Sequence, residues 1–283
     1  MYVMEVPFFD VDQIYASGQV FRWIRYRDGK YVIPHGNKAL KIEQQKDRLI
    51  MSCNDEDFYE IWWKYFDLQT DYSRLNYQAK AQGGQIKISA VRGSGIHILQ
   101  QDLFEMIVTF MLATATNIPN VKRMLHQIEV ACGNMHKQTM GDCGQVTWYA
   151  FPSPLQMLVG AKKLGDNFGL KRKENILQIC QDICDGWLDL EMLKQMSYQD
   201  AKELLMQFDG IGDKVADCIC LYGLHHMEAF PVDTHIAQIL QRDFDCDVET
   251  FLEWYGADEF NGLIQQYLYY NEINPPKEAK AWA

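Results

Sequence analysis

Gly210 and Gly212, two residues apart, separate an apolar helix end (Leu204, Leu205, Met206 and Phe208) from a second helical pattern. That pattern comprises Val215, Ala216, Cys218, Ile219, Leu221 and Tyr222, at helical spacing from Asp213 until Gly223. Glycine admits positive φ and lets a foreign backbone come close, so the chain is expected to reverse tightly here. The unpaired N–H groups of the turn and of the new helix end then point outward together. They suit a phosphate oxygen. An ordinary turn between two helices would carry the same glycines, so they do not decide the matter alone.

Lys214 adds chemistry to this turn. It falls in the first turn of the second helix, where the positive end of the helix dipole disfavours an ammonium and helps expose a neutral amine. Such an amine can attack a sugar C1′ as its base departs, leaving a Schiff base; the plainer reading is a lysine contacting phosphate. Further on, Pro231-Val232-Asp233-Thr234-His235 places Asp233 before a helix through Ile236, Ile239 and Leu240. Asp233 is expected to N-cap that helix. A capping carboxylate is held rigidly, so it could also stabilise oxocarbenium-like charge or assist proton transfer where a glycosidic bond breaks.

The formal net charge of −11 over 283 residues argues against a generic nucleic-acid binder, which tends to be basic. The charge is uneven, however. Lys162, Lys163, Lys171, Arg172 and Lys173 crowd one segment against Asp166 and Glu174, while acidic residues gather at Asp55-Glu56-Asp57 and across 243–259. A small contact face served by backbone N–H groups needs fewer basic side chains. The eight cysteines form no paired C-x-x-C knuckles, which argues for reduced thiols over structural zinc. No apolar run reaches membrane-spanning length, and the N-terminus lacks a basic region followed by an apolar signal core. A soluble, monomeric, cytoplasmic protein is expected, nucleoid-associated if bacterial.

Along the chain, residues 1–94 read as a β-rich domain. Val20 to Tyr26, Tyr31 to Ile33, Lys38 to Ile42 and Arg48 to Ser52 alternate as short antiparallel strands, with a turn at Asp28-Gly29 and a helix over Asp55 to Phe66. From Gly95 to residue 272 the pattern is successive helices, among them Lys171 to Cys184 and Met192 to Phe208; residues 273–283 form a tail. An α+β architecture is expected, with an antiparallel sheet lobe packed on a helical domain that holds the hairpin.

The segment Gly210 to Leu221, together with Pro231-Val232-Asp233-Thr234-His235, resembles the helix-hairpin-helix-Gly/Pro-Asp signature of base-excision DNA glycosylases, in the 8-oxoguanine DNA glycosylase branch. The resemblance extends to Gly18-Gln19-Val20-Phe21-Arg22-Trp23, Gly95 to Asp102, Phe151-Pro152-Ser153 and Gln265 to Tyr269, and so spans roughly residues 5–272. It implies a bifunctional glycosylase/AP lyase acting on duplex DNA that contains 8-oxoguanine. Lys214 would be the nucleophile and Asp233 its supporting carboxylate. The Gly18 carbonyl would accept the N7–H that distinguishes 8-oxoguanine from guanine. Gln265 would read the Watson–Crick edge, and Tyr269 and Cys218 would flank the flipped base. Gly210, Gly212 and His235 would meet phosphates; Asn117 would invade the duplex or simply cap a helix; Leu170 would wedge between bases or pack its loop.

Lys171 could touch the partner base but lacks arginine's planar fork. Asn120 stands where some relatives carry arginine, so weak discrimination of the opposite base is expected. The resemblance implies no required metal or organic cofactor, although a monovalent cation could bridge hairpin carbonyls and phosphate. The iron–sulfur cluster of some relatives has no cysteines to hold it beyond Cys246. Two rivals remain: a helix-hairpin-helix glycosylase for alkylated bases or oxidised pyrimidines, and a non-catalytic DNA-binding module.

Overall fold

The computed structural model describes residues 1–165 and 168–276. Asp166 and residues 277–283 of the expected tail lie outside the described residues. The architecture is α+β, an antiparallel sheet lobe set against a helical body.

Five strands, β1 (Tyr2–Glu5), β2 (Ile24–Arg27), β3 (Lys30–His35), β4 (Lys38–Gln45) and β5 (Arg48–Met51), form one sheet in the order β1-β5-β4-β3-β2. Its register pairs Ile33 with Leu40 and Ile42 with Met51. Strand alternation carries Tyr31, Ile33, Leu40, Ile42, Leu49 and Met51 into a core shared with Ile14, Phe58, Trp62 and Phe66. The last three lie on the helical stretch beginning at Asp55, whose middle, Phe58–Trp62, widens to π-helical bonding. Two elements escaped the alternation pattern: β1, and the helix Val11–Ala16, N-capped by Asp10 through the N–H groups of Asp12 and Gln13. The strand expected from Val20 starts only at Ile24. Gln19 and Arg22 leave the sheet to bond elsewhere.

Arg22 joins the lobe to the body. Its guanidinium donates to Glu105 at 2.6 Å, to the Tyr149 carbonyl at 2.6 Å and to Glu129. Burial pushes the Glu105 carboxyl up to about 7 even with Arg22 beside it. Tyr149 ends β7 (Gln145–Tyr149), which pairs with β6 (Met135–Thr139) in a second hairpin not apparent in the sequence.

The helical body surrounds Leu103–Leu112, whose ten residues are nearly all apolar and all but Glu105 buried. Around it pack Ile118–Cys132, Leu170–Cys184 and Asp213–Tyr222, while Asn261–Ile273 packs on Gly84–Arg92 and Thr234–Ile239. Tyr72–Ala81 and Gly84–Arg92 are also helices, and Tyr72, Leu75, Ala79, Ile86 and Ala90 enter this helical core. The single helix expected over Met192 to Phe208 is instead two, Leu190–Leu193 and Tyr198–Leu205. Ser197 separates them by capping the second, accepting from the Asp200 N–H. Among the described residues no helix is long and apolar enough to cross a membrane.

Candidate active site

A cleft of about 810 Å³ opens where the Gly18 loop, the segment before Ile118–Cys132, the glycine hairpin and the helix Asn261–Ile273 meet. The structure brings Gly18, Asn117, Gly210, Gly212, Lys214, Cys218, Asp233, His235, Gln265 and Tyr269 to its walls. Leu170 and Lys171 are not among them. They line a neighbouring cavity of about 410 Å³, which shares Gly210 with the cleft.

The hairpin is held by packing and by charge. Ile211 is buried between the glycines, and its N–H donates to the Phe208 carbonyl at 3.1 Å. Gly210 sits at φ +92, and a Cβ there would lie 2.7 Å from Asn175 Nδ2. Gly212 serves the second of the two uses expected of glycine here. Its φ of −95° suits any residue, and open space surrounds it, so glycine there leaves room for an approaching chain rather than permitting the turn. Gly212 begins the helix Asp213–Tyr222, and no described residue accepts from the N–H groups of Gly212, Asp213 or Lys214. The two hairpin helices are further tied by Lys202, whose Nζ lies 2.9 Å from both Asp213 Oδ1 and Asp217 Oδ1. The Tyr198 hydroxyl donates to Asp217 at 2.6 Å. Neither Lys202 nor Tyr198 was singled out from sequence, because their partners lie on the next helix.

Lys214 Nζ stands 5.6 Å from the centroid of the buried Phe110 ring, one turn before the buried Cys218 thiol. Burial pushes that thiol up to about 11. At pH 8 iodoacetamide is therefore expected to modify the exposed Cys184 and to spare Cys218. Peptide mass mapping reads this directly, and equal labelling of both would contradict the burial of Cys218. Asp233 caps Thr234–Ile239 as expected, accepting from the Ile236 N–H at 2.9 Å with one oxygen.

Gln265 is buried, and its Nε2 donates to the Pro231 carbonyl at 3.2 Å. Its Oε1, equally buried, has no partner among the described residues. A buried acceptor costs stability unless a donor satisfies it. Tyr269, one turn later, meets His235 edge-on with ring centroids 5.8 Å apart. Gly18 lies at φ +89, and a Cβ there would come within 2.9 Å of Tyr269 Cε1. Gly18→Ala combines backbone strain of about 1–3 kcal/mol with displacement of that ring, so base excision is expected to fall roughly 10–100-fold. Single-turnover excision measures this, and an unchanged rate would contradict it.

Asn117 is the N-cap of Ile118–Cys132, accepting from the Asn120 N–H at 3.0 Å, and its side chain is exposed at the cleft. Leu170 is 68% exposed. Lys171, also exposed, lies 3.5 Å from Asp209 Oδ2. Among the described residues no cluster of three or more His, Cys, Asp or Glu could hold a metal, and all eight cysteines are free.

Residues 2–107 match the 8-oxoguanine DNA glycosylase, N-terminal domain. The chain is 27% identical over 265 residues to the N-glycosylase/DNA lyase of Saccharomyces cerevisiae, covering 82% of this chain and 67% of that one. It is 28% identical to the N-glycosylase/DNA lyase OGG1 of Arabidopsis thaliana, covering 93% and 77%. The chain is similar to members of the 8-oxoguanine DNA glycosylase family over most of its length. Among solved structures, the Clostridium acetobutylicum 8-oxoguanine glycosylase/lyase bound to double-stranded DNA with cytosine opposite 8-oxoG superposes with a TM-score of 0.83. That pair is 27% identical, covering 95% of this chain and 97% of the other. The segment that matches the N-terminal domain contributes Gly18 to the cleft, and the helical body contributes the hairpin.

Proposed function

We propose that this protein excises 8-oxoguanine from duplex DNA and then cleaves the abasic site by β-elimination. The reading is carried by one juxtaposition: the amine of Lys214 and the carboxylate of Asp233 face the same cleft as the unpartnered Gln265 Oε1.

A base inside a duplex must leave the stack before chemistry can reach it. Outward N–H groups at Gly212, Asp213 and Lys214 hold a backbone phosphate, and His235 contacts another. Tyr269 and Cys218 flank the flipped base. The Gly18 carbonyl accepts N7–H, a donor that guanine lacks, while Gln265 Oε1 accepts from the Watson–Crick edge. Neutral Lys214 attacks C1′, and the C1′–N9 bond breaks with its electron pair leaving on the base, which takes up a proton. Asp233 stabilises the positive charge that develops on the sugar. The amine loses its protons as the ring opens to a Schiff base; removal of a C2′ proton then expels the 3′ phosphate.

No cofactor enters these steps, and a monovalent cation between hairpin carbonyls and phosphate belongs to the proposal as an addition. Asn117 invades the duplex at the lesion, Leu170 presses from the neighbouring cavity, and Lys171 contacts the partner strand. With Asn120 and Lys171 in place of planar guanidinium groups, excision is expected at comparable rates opposite all four bases; strict dependence on cytosine would contradict this part. The setting that fits the substrate is chromosomal DNA, in the cytoplasm on the nucleoid in a bacterial cell.

Incubating the protein with a duplex containing 8-oxoguanine tests the proposal. Free 8-oxoguanine and a strand break at the lesion are expected. Binding without base release would favour a DNA-binding module, and release only of alkylated bases or oxidised pyrimidines would move the specificity elsewhere.

A further inference from the structure

Gly18 stands between two residues whose carbonyls are already engaged by side-chain amides, one of them fully buried. Gln266 Nε2 donates to the Ser17 carbonyl at 2.7 Å, and Gln101 Nε2 donates to the Gln19 carbonyl at 3.0 Å. No described residue donates to the carbonyl of Gly18 itself. Ser17, Gln19 and Gln266 are each at most 1% exposed. The orientation of the Gln266 amide is fixed by chemistry. A carbonyl can only accept, so Nε2 must face Ser17 and Oε1 must face the Tyr222 hydroxyl, which donates to it at 2.6 Å. Tyr222 is itself stacked on Phe110, with ring centroids 5.4 Å apart, at the floor of the cleft. Gln266 does not line the cleft, unlike its neighbour Gln265.

We propose that Gln266, oriented by Tyr222, is a positioning residue for recognition of the oxidised purine. By engaging the Ser17 carbonyl from one side, while Gln101 engages that of Gln19 from the other, it fixes the peptides around Gly18. The Gly18 carbonyl is thereby the one acceptor of the three left for the N7–H of the base. The contact joins residues 249 apart in sequence, so the last helix sets the geometry of a loop near the chain's start. This inference rests on the proposed reading of 8-oxoguanine by Gly18.

The test compares two substrates on the full chain: a duplex with 8-oxoguanine, and the same duplex with an abasic site, whose β-elimination needs Lys214 but no base in the pocket. Gln266→Leu is expected to slow 8-oxoguanine excision about tenfold, the scale of one lost hydrogen bond, and to change abasic-site cleavage less than about twofold. Tyr222→Phe frees the amide without removing it, and a fall of about threefold confined to the same substrate is expected. Equal losses on both substrates, or unchanged excision, would overturn the inference. Should Gln266→Leu not fold, Tyr222→Phe decides by the same criterion. An unmodified protein inert on 8-oxoguanine would overturn the proposed function and take this inference with it, an outcome distinct from an active protein indifferent to both substitutions.

Discussion

Lys214→Gln is expected to lower base release by about 10³-fold or more and to remove strand scission altogether, the scale on which loss of a nucleophile acts. The substitution is chosen to leave the fold intact. Glutamine keeps much of the length of lysine, and the hairpin is held by Ile211, Lys202 and Tyr198 rather than by Lys214. The loss would therefore be chemical. Binding of a lesion duplex should survive with a change small beside the loss of rate, because the outward N–H groups of the hairpin remain. A melting curve alongside the rate measurement separates the two effects. Full strand scission by a folded Lys214→Gln variant would remove the nucleophile from this position.

Asp233→Asn separates two roles carried by one side chain. Its carboxylate caps Thr234–Ile239 through the Ile236 N–H, and asparagine caps about as well as aspartate. Stability should therefore change little. The negative charge facing the cleft is lost, however, and with it the proposed stabilisation of positive charge on the sugar as the base departs. A fall in excision of about 10²–10³-fold is expected, comparable to removing one preorganised electrostatic contact. Asp233→Ala removes the cap as well and should lower stability by about 1 kcal/mol in addition. If Asp233→Asn kept its rate while Asp233→Ala lost both rate and stability, the aspartate would be only a cap.

How much of this was legible in the sequence follows from how local each signal is. The hairpin could be read because its two glycines and the helical spacing after Asp213 are contiguous, and β3 to β5 could be read because alternation needs only a few neighbouring residues. β1 could not, since its pairing with β5 joins the chain's start to residues 48–51. The break at Ser197 was hidden by apolar residues that continue at helical spacing across it. Of the two uses of glycine offered by the sequence, Gly210 takes the conformational one and Gly212 the spatial one. Lys214 and Asp233 could be proposed for chemistry from their own surroundings. Gly18, Gln265 and Tyr269 acquired roles only through the family resemblance, because nothing local says that the two ends of the chain meet across one cleft. Lys202 and Gln266 stayed silent for the same reason: each acts through a bond to a different element.

The most direct measurement is reduction of the reacting complex. Protein mixed with a duplex bearing 8-oxoguanine is treated with borohydride, digested, and the cross-linked peptide identified by mass. The expected result is a deoxyribose adduct on the peptide carrying Lys214, absent from the Lys214→Gln variant. Base release with no adduct, or an adduct on any other residue, would contradict attack by Lys214.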